Sequence, residues 1–403
     1  MITDPSPQPA GRKKTPFLPR SICHREFHLD AANFVSGAAL SWQAALKKSG
    51  VCLELITDTN MYEMINDGIR GGYSGAALAY AVANHPLMKS RAYDPAQEQV
   101  WLMMFDIVNQ YGRCMLGHLP VSNFSFLEDP SVMTEELICS IPAESDEGYL
   151  LEVSLDYPES LHEAHNCFPL APKHYRTRLE DLSEEQRQTY TKIYRKETYK
   201  GSSKLVTTLW DKEKYVVHYR ALQLYLQLGL RLKAVHRVIK FHQAPFLRGY
   251  IQHLTDLRAR SKDPFEKAIW KLMINVIYGN FIFFRPTLTL SFVSGKTVED
   301  QLNYKDFCVV TQVSALTKLV RNPHFREGHI LDEDLMIVEL RKTNVVLNKP
   351  RYLGQAILDD AKVGNGMVLA SAIVIASSYR HNSIISTTTR FYGSLAWPTP
   401  DSF

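Results

Sequence analysis

Residues 263–279 read Asp263-Pro-Phe-Glu-Lys-Ala-Ile-Trp-Lys-Leu-Met-Ile-Asn-Val-Ile-Tyr-Gly279. Asp263 suits an N-cap, Pro264 the first helical position, and Glu266 the third position of a capping box. Gly279 stops or bends the helix. At about 100° per residue, Phe265, Ile269, Leu272, Met273 and Val276 share one side, which is expected to face a core. Lys267, Lys271, Asn275 and Tyr278 fall on the opposite side, a stripe of two amines, an amide and a phenol. One reading of that stripe is a solvated helix face. Asn and Tyr are poorer helix formers than the Glu and Lys that solvent faces usually carry. The other reading is therefore a grip on a nucleoside triphosphate, with Lys on the phosphates and Tyr against base or sugar.

Working outward, the helix closes the most basic part of the chain. The net charge is +4 over 403 residues. Residues 173–272 alone carry 22 Lys/Arg and 10 Asp/Glu, a balance of +12, and the remainder carries −8. Aromatics interleave with these charges (Tyr190, Tyr194, Trp210, Tyr215, Tyr219). That mixture suits nucleic acid better than a membrane surface, with a merely solvated basic face as the alternative. A hydrophobic fraction of 45% and a charged fraction of 22% exclude a largely disordered chain. No apolar run approaches the roughly 18 residues of a membrane span, and no membrane partner is expected. The six cysteines have no CxxC spacing, which argues against a disulfide framework or a zinc ribbon and fits a reducing, intracellular setting. The nucleus and the mitochondrion are both open.

Residues 1–20 read as a disordered leader without a secretory signal. Residues 38–66 read as two helices, capped by Ser41 and by Thr57 or Asp58. Arg70-Gly71-Gly72 is a loop whose paired glycines let a backbone approach closely. Trp101–Phe105 reads as a buried strand ending at Asp106, a placement that either presents a metal ligand or simply ends a strand. Gly148–Pro158 alternates as a half-buried strand, expected to pair with the first. Residues 216–238 and 242–262 read as helical, and 283–300 and 336–358 as β-prone. After about residue 361 the sequence turns small and Ser/Thr-rich. The fold class expected is α+β, a sheet interrupted by a helical insertion.

Lys271-Leu-Met-Ile-Asn275-Val-Ile-Tyr278-Gly279 resembles motif B of family B DNA polymerases, K-x3-N-S-x-Y-G, with Val276 in the Ser position. Phe105-Asp106-Ile-Val-Asn109-Gln-Tyr111-Gly112 resembles motif A, and Arg70-Gly71-Gly72 the glycine loop before it, in the family's order. Within that family the pattern resembles the protein-primed polymerases of viruses, linear plasmids and self-synthesising transposons, over roughly residues 30–360. The resemblance implies a division into 1–20 (leader), 21–95 (exonuclease edge and glycine-loop linker), 96–203 (first part of the palm, with motif A), 204–282 (helical fingers, with motif B), 283–360 (second part of the palm) and 361–403 (divergent tail). It implies Asp106 as a ligand of two catalytic Mg²⁺ ions and Tyr111 as a steric gate against a ribose 2′-OH. Lys271 would bind the incoming dNTP, with an added phosphate contact from Arg258. Asn275, Tyr278 and Gly279 would shape the base-pair pocket, and Arg70, Gly71 and Gly72 would meet DNA. Its partners would be a DNA template-primer, dNTPs and a terminal priming protein.

The same family needs a second carboxylate in motif C, Y-x-D-T-D-S, and the sequence offers no match. Asp359-Asp360 and the Asp332/Asp334 pair fall out of order and read as surface acids. A single carboxylate holds Mg²⁺ weakly. The expectation is an incomplete polymerase, inactive as isolated, with an exposed sheet edge where the motif C strand belongs. The alternative is a non-catalytic DNA- or nucleotide-binding remnant.

Overall fold

The computed structural model describes residues 17–34, 36–72, 82–87, 93–97, 99–100, 107, 109–166, 168–194, 201, 203–280, 305–341, 349–378 and 383–384. Residues 1–16 of the expected leader, Trp101–Asp106 and the 283–300 segment lie outside these residues, and residues 17–20 of the leader open a helix. In chain order the elements are α1 (Phe17–Phe27), α2 (Gly37–Ser49), α3 (Thr59–Gly68), β1 (Gln99–Val100), α4 (Gln110–Cys114), β2 (Leu119–Phe126), α5 (Glu135–Ser140) and β3 (Glu147–Asp156). There follow α6 (His162–His165), β4 (Lys173–Arg176), α7 (Glu184–Tyr194), β5 (Ser203–Val206), β6 (Lys212–His218), α8 (Tyr219–Gln227) and β7 (Arg231–Ala244). The last are α9 (Arg248–Arg260), α10 (Pro264–Val276), β8 (Lys305–Val310), α11 (Val313–Val320), β9 (Phe325–Asp332), β10 (Leu335–Arg341), α12 (Arg351–Ser378) and β11 (Ser383–Ile384). The fold is mixed, with antiparallel sheets of four and three strands. Among the described residues no helix is long and apolar enough to cross a membrane.

These elements form two compact units that interleave in sequence. One takes Met1–Val51 and Leu247–Val346, the other Cys52–Phe246 and Leu347–Phe403. The second is built on the antiparallel sheet β2-β7-β3-β6, irregular in register and bulged where Asn123 adopts φ +58°. One face carries Leu151, Val153, Leu155, Tyr215, Val217 and Val238 into a core closed by Ala221, Leu222, Tyr225 and Leu226 of α8. On β2, Phe124 meets Tyr352 at the start of α12 with ring centroids 4.5 Å apart.

Several expectations change at this level. Glu147–Asp156 is an interior strand with Leu150 and Glu152 buried as well, rather than a half-buried one. Its two edges are taken by β6 and β7, so the expected pairing with Trp101–Phe105 is replaced. Residues 216–238 are helical only over α8. Gly229, at φ +100°, turns the chain back, and the β-branched Val235, Val238 and Ile239 continue as a strand. The four-stranded sheet thus recruits 212–218 and 231–244, from a segment expected to be helical. The strands of 305–341 form their own sheet, β8-β10-β9, within the first unit. Residues 351–358 are helix, started behind Pro350, and α12 runs on through residue 361 without a boundary there.

In the first unit the helices hold one another through few polar contacts. Ser36, not Ser41, caps α2 by accepting from Ala39 N. Ser41 lies fully buried in the helix, donating to Met273 O of α10 at 2.8 Å and meeting Tyr250 OH of α9 at 2.9 Å. Phe27 of α1 sets its ring 5.9 Å from Tyr250 and 6.4 Å from Trp270. Asp58 caps α3 through Asn60 N and Met61 N, as its sequence position leads one to expect.

Candidate nucleotide and nucleic-acid site

Helix α10 starts as its sequence dictates. Asp263 accepts from Phe265 N at 3.1 Å, and Pro264 fills the first turn. Its buried side consists of Trp270, Met273 and Ile274, continued by Ile277 and Tyr278 in the tight turn Ile277–Asn280. That face is rotated from the expected one, for Leu272 is 55% exposed while Trp270 is fully enclosed. The indole decides the rotation, since it offers the most apolar area and its Nε1 donates to Ser261 Oγ at 3.2 Å.

Lys267, Lys271 and Asn275 remain exposed, spaced i, i+4, i+8 along one ridge. Neither amine forms an ion pair with another described residue. Tyr278 leaves the stripe. It is 5% exposed, and Gly279 beside it is buried, so the expected stacking of that ring on a base is not what this structure presents. Trp270 and Ile274, eight and four residues earlier, are both buried, so the rotation of the helix that draws the indole inward carries residue 278 with it. Arg258, Arg260 and Lys262 are exposed at the end of α9, which packs along α10. The two helices carry exposed positive charge and pack on a core that includes Tyr250 and Trp270, an arrangement able to bind phosphates.

The remaining expected residues belong to the second unit. Asp106 lies outside the described residues. Tyr111 is half-buried on α4, and burial first, then the Cys114 sulfur, push its phenol above the ordinary value, keeping it protonated. Asn109 enters α4 at φ +53° with its amide lying where a side chain on Gly112 would go, which accounts for glycine there. Arg70 is buried at 6% exposure. It donates from Nη1 to Val216 O at 2.6 Å and lies 3.9 Å over the Tyr215 ring. Its guanidinium anchors the loop inside the fold, which corrects the expected contact with DNA. Gly71 and Gly72 are exposed, with open space around them.

Sequence reasoning missed a buried ionic group on α12. Asp359 and Asp360, expected on the surface, are enclosed, whereas Asp332 and Asp334 are exposed as expected. Asp359 accepts from His218 N at 2.9 Å and from Lys362 Nζ at 2.8 Å. Asp360 pairs with Arg220 Nη1 at 2.7 Å. Burial pushes the Asp360 carboxyl up to about 6 against the pull of Arg220, with Asp359 adding to the rise. His218 is held well below its ordinary value by burial and by Arg220, so its ring is neutral. A signal was present: Tyr352, Leu353, Ala356, Ile357, Leu358 and Ala361 cover most of the helix circumference with Asp360 among them, and a charge on such a face requires a partner.

These positions bear on the expected Mg²⁺ site. Asp359 is committed to Lys362 and to a backbone amide, and Asp360 is paired through Oδ2 with Arg220 while its buried Oδ1 has no hydrogen-bond partner among the described residues. Among the described residues Glu327, His329 and Glu339 bring ligand atoms within 4.8 Å of one another. Glu339 is already paired with Arg326 at 2.7 Å, and a histidine suits Mg²⁺ poorly. The described residues thus do not fit a two-Mg²⁺ centre.

In class, this is a mixed helix and antiparallel-sheet protein with a basic helical face. No protein-family model matches the chain, and no curated protein matches it. Among solved structures it is similar to Phi29 DNA polymerase complexed with primer-template DNA and incoming nucleotide. The TM-score is 0.43 at 14% identity, covering 83% of this chain and 45% of that one. Phi29 DNA polymerase complexed with primer-template DNA gives 0.42 at 13% identity, over 88% and 50% of the two chains. Complexed with single-stranded DNA, it gives 0.43 at 13%, over 88% and 48%. The chain spans about half the length of these polymerase chains.

Proposed function

We propose that this chain is the palm and fingers of a DNA polymerase of the protein-primed family B type, binding a primer-template and the triphosphate of an incoming dNTP. In this reading the four-stranded sheet is the palm and α9 with α10 the fingers. Lys271 takes the triphosphate and Asn275 borders the base pair. Tyr111 excludes a 2′-OH, and the exposed backbone of Gly71 and Gly72 meets DNA. The observation that carries the reading is the exposed ridge Lys267–Lys271–Asn275, its amines without an ion pair among the described residues, of which Lys271 and Asn275 stand at the Lys and Asn of motif B, with Val276 in place of its Ser, after motif A and the glycine loop in order. Nucleotidyl transfer would further need a carboxylate beside Asp106, so no metal-dependent step is assigned to this chain. The commitment of Asp359 and Asp360 to internal cations favours a second reading, a remnant that binds DNA and nucleotide without catalysis.

The test is equilibrium binding of a matched dNTP to the protein with primer-template DNA, in Ca²⁺ and in Mg²⁺, for wild type and Lys271→Ala. A charge-assisted contact to phosphate is worth roughly 1.5–3 kcal/mol, so the substitution is expected to weaken dNTP binding at least about tenfold while DNA binding persists. Equal dNTP affinity in the two proteins, or none in wild type, refutes the proposal.

A further inference from the structure

Helix α4 carries the candidate sugar gate, yet it is a weak element in isolation. It has five residues, far fewer than a helix needs to stand alone, and Asn109 caps it without a side-chain hydrogen bond. Its position must come from what it packs against. Gln110 Nε2 donates to Ala361 O of α12 at 2.7 Å. At the other end of α4, burial first, and then the charge of the Asp360 carboxyl, push the Cys114 thiol up to about 12. Arg220 closes the arrangement. One guanidinium nitrogen takes Asp360, and the other donates to His118 O at 3.0 Å, just beyond α4, and to Ala143 O at 2.8 Å. The carboxyl of Asp360 is faced by Asp359 from its own helix, by His218 from β6 and by Arg220 from α8, and its charge bears on Cys114 of α4.

The start of α4 is therefore tied to α12 by Gln110, and the chain just beyond its end is tied to the same turn of α12 through Arg220, which pairs with Asp360 and donates to His118 O. We propose that Asp360 is a positioning residue of the nucleotide site, which through Arg220 fixes α4 and with it the placement of Tyr111. This inference rests on the polymerase reading of Tyr111. It adds that discrimination against ribose is set in part from α12, by a residue that touches neither nucleotide nor DNA.

The experiment uses the full chain with primer-template DNA in Ca²⁺. It measures the affinities for a matched dNTP and its ribonucleotide in wild type, Asp360→Asn and Gln110→Ala. The second variant leaves the buried ion pair intact and releases the other tie of α4 to α12; if Asp360→Asn does not fold, Asp360→Glu, which keeps the charge but displaces Arg220, takes its place in the test. A parallel readout is the alkylation rate of Cys114, located by peptide mapping. The expected result is a dNTP-over-rNTP preference reduced at least fivefold in both variants. DNA affinity stays within twofold, and Cys114 reacts at least tenfold faster in Asp360→Asn. A merely structural role would lower both nucleotide affinities together and leave their ratio unchanged. If wild type discriminates and neither variant changes the ratio, the positioning role is overturned and the polymerase reading stands. If wild type binds no dNTP, the polymerase reading falls and this inference falls with it.

Discussion

Lys212 supplies a prediction whose magnitude follows from its surroundings. It is 1% exposed, and its ammonium donates to Thr208 O and to Thr208 Oγ1, both at 2.8 Å, with the Tyr157 ring 5.6 Å away. Burial first, then the neighbouring Lys173, pull its amine from 10.5 down to about 7, against a smaller lift from Asp211. In the unfolded chain the amine keeps its proton to about pH 10, and in the folded protein it releases it near 7. Between those values the unfolded state binds more protons, so stability rises with pH across the window. The cost of keeping this lysine is on the order of 4 kcal/mol at pH 7 and falls to on the order of 1 kcal/mol at pH 9.5. Lys212→Met removes that cost and gives up two hydrogen bonds worth roughly 1 kcal/mol each. The variant is expected to be more stable by about 2 kcal/mol at pH 7, with the advantage gone at pH 9.5. Urea denaturation at both pH values measures it, read by amide exchange in Tyr215–His218 so that the correct unit is followed. A variant no more stable at pH 7, or one whose advantage persists at pH 9.5, would show that the amine stays charged and hydrated.

Two further expectations concern packing. Ser41→Ala removes the hydroxyl shared by Met273 O and Tyr250 OH and should destabilise the first unit by roughly 1–3 kcal/mol. Adding Tyr250→Phe should cost less than the sum of the two single changes, as a double-mutant cycle by denaturation will show. Gly148→Ala places a methyl on the Phe241 ring, which is 1% exposed, and should cost roughly 1–3 kcal/mol by thermal unfolding. Phe241→Leu in the same chain should recover part of the loss, and no recovery would mean that the strand, not the ring, bears the strain.

The sequence was legible where local chemistry decides alone. Asp263 and Asp58 cap the helices they were expected to cap, and the Lys267–Lys271–Asn275 ridge is exposed. It misled where distant partners decide. The Leu-rich stretch 222–230 fits helix and strand periods alike, and only packing against β3 makes 231–244 a strand. Ser41 looks like a cap, yet it serves α9 and α10, more than two hundred residues away. Arg70 suggests a phosphate contact until the Tyr215 ring and Val216 carbonyl come to meet it. Adjacent aspartates ordinarily mean solvent, and their enclosure depends on Arg220 arriving from another element.

The interleaving of the two units bears on how the protein comes to be made. Each unit is assembled from two separated stretches, Met1–Val51 with Leu247–Val346 and Cys52–Phe246 with Leu347–Phe403. During synthesis the four-stranded sheet is complete in sequence once Ala244 has emerged. Tyr352, Leu353, Ala356 and Ile357 of α12 and the counter-charge of Arg220 emerge only about a hundred residues later. At roughly 5–20 residues per second, the growing chain waits on the order of 5–20 seconds with an uncovered apolar surface and an unpaired buried arginine. Helices α1 and α2 wait longer still for α9 and α10. Neither unit can be obtained by cutting the gene once. A fragment carrying either must join two stretches, and recombinant yield should depend on chaperones that shield nascent chains.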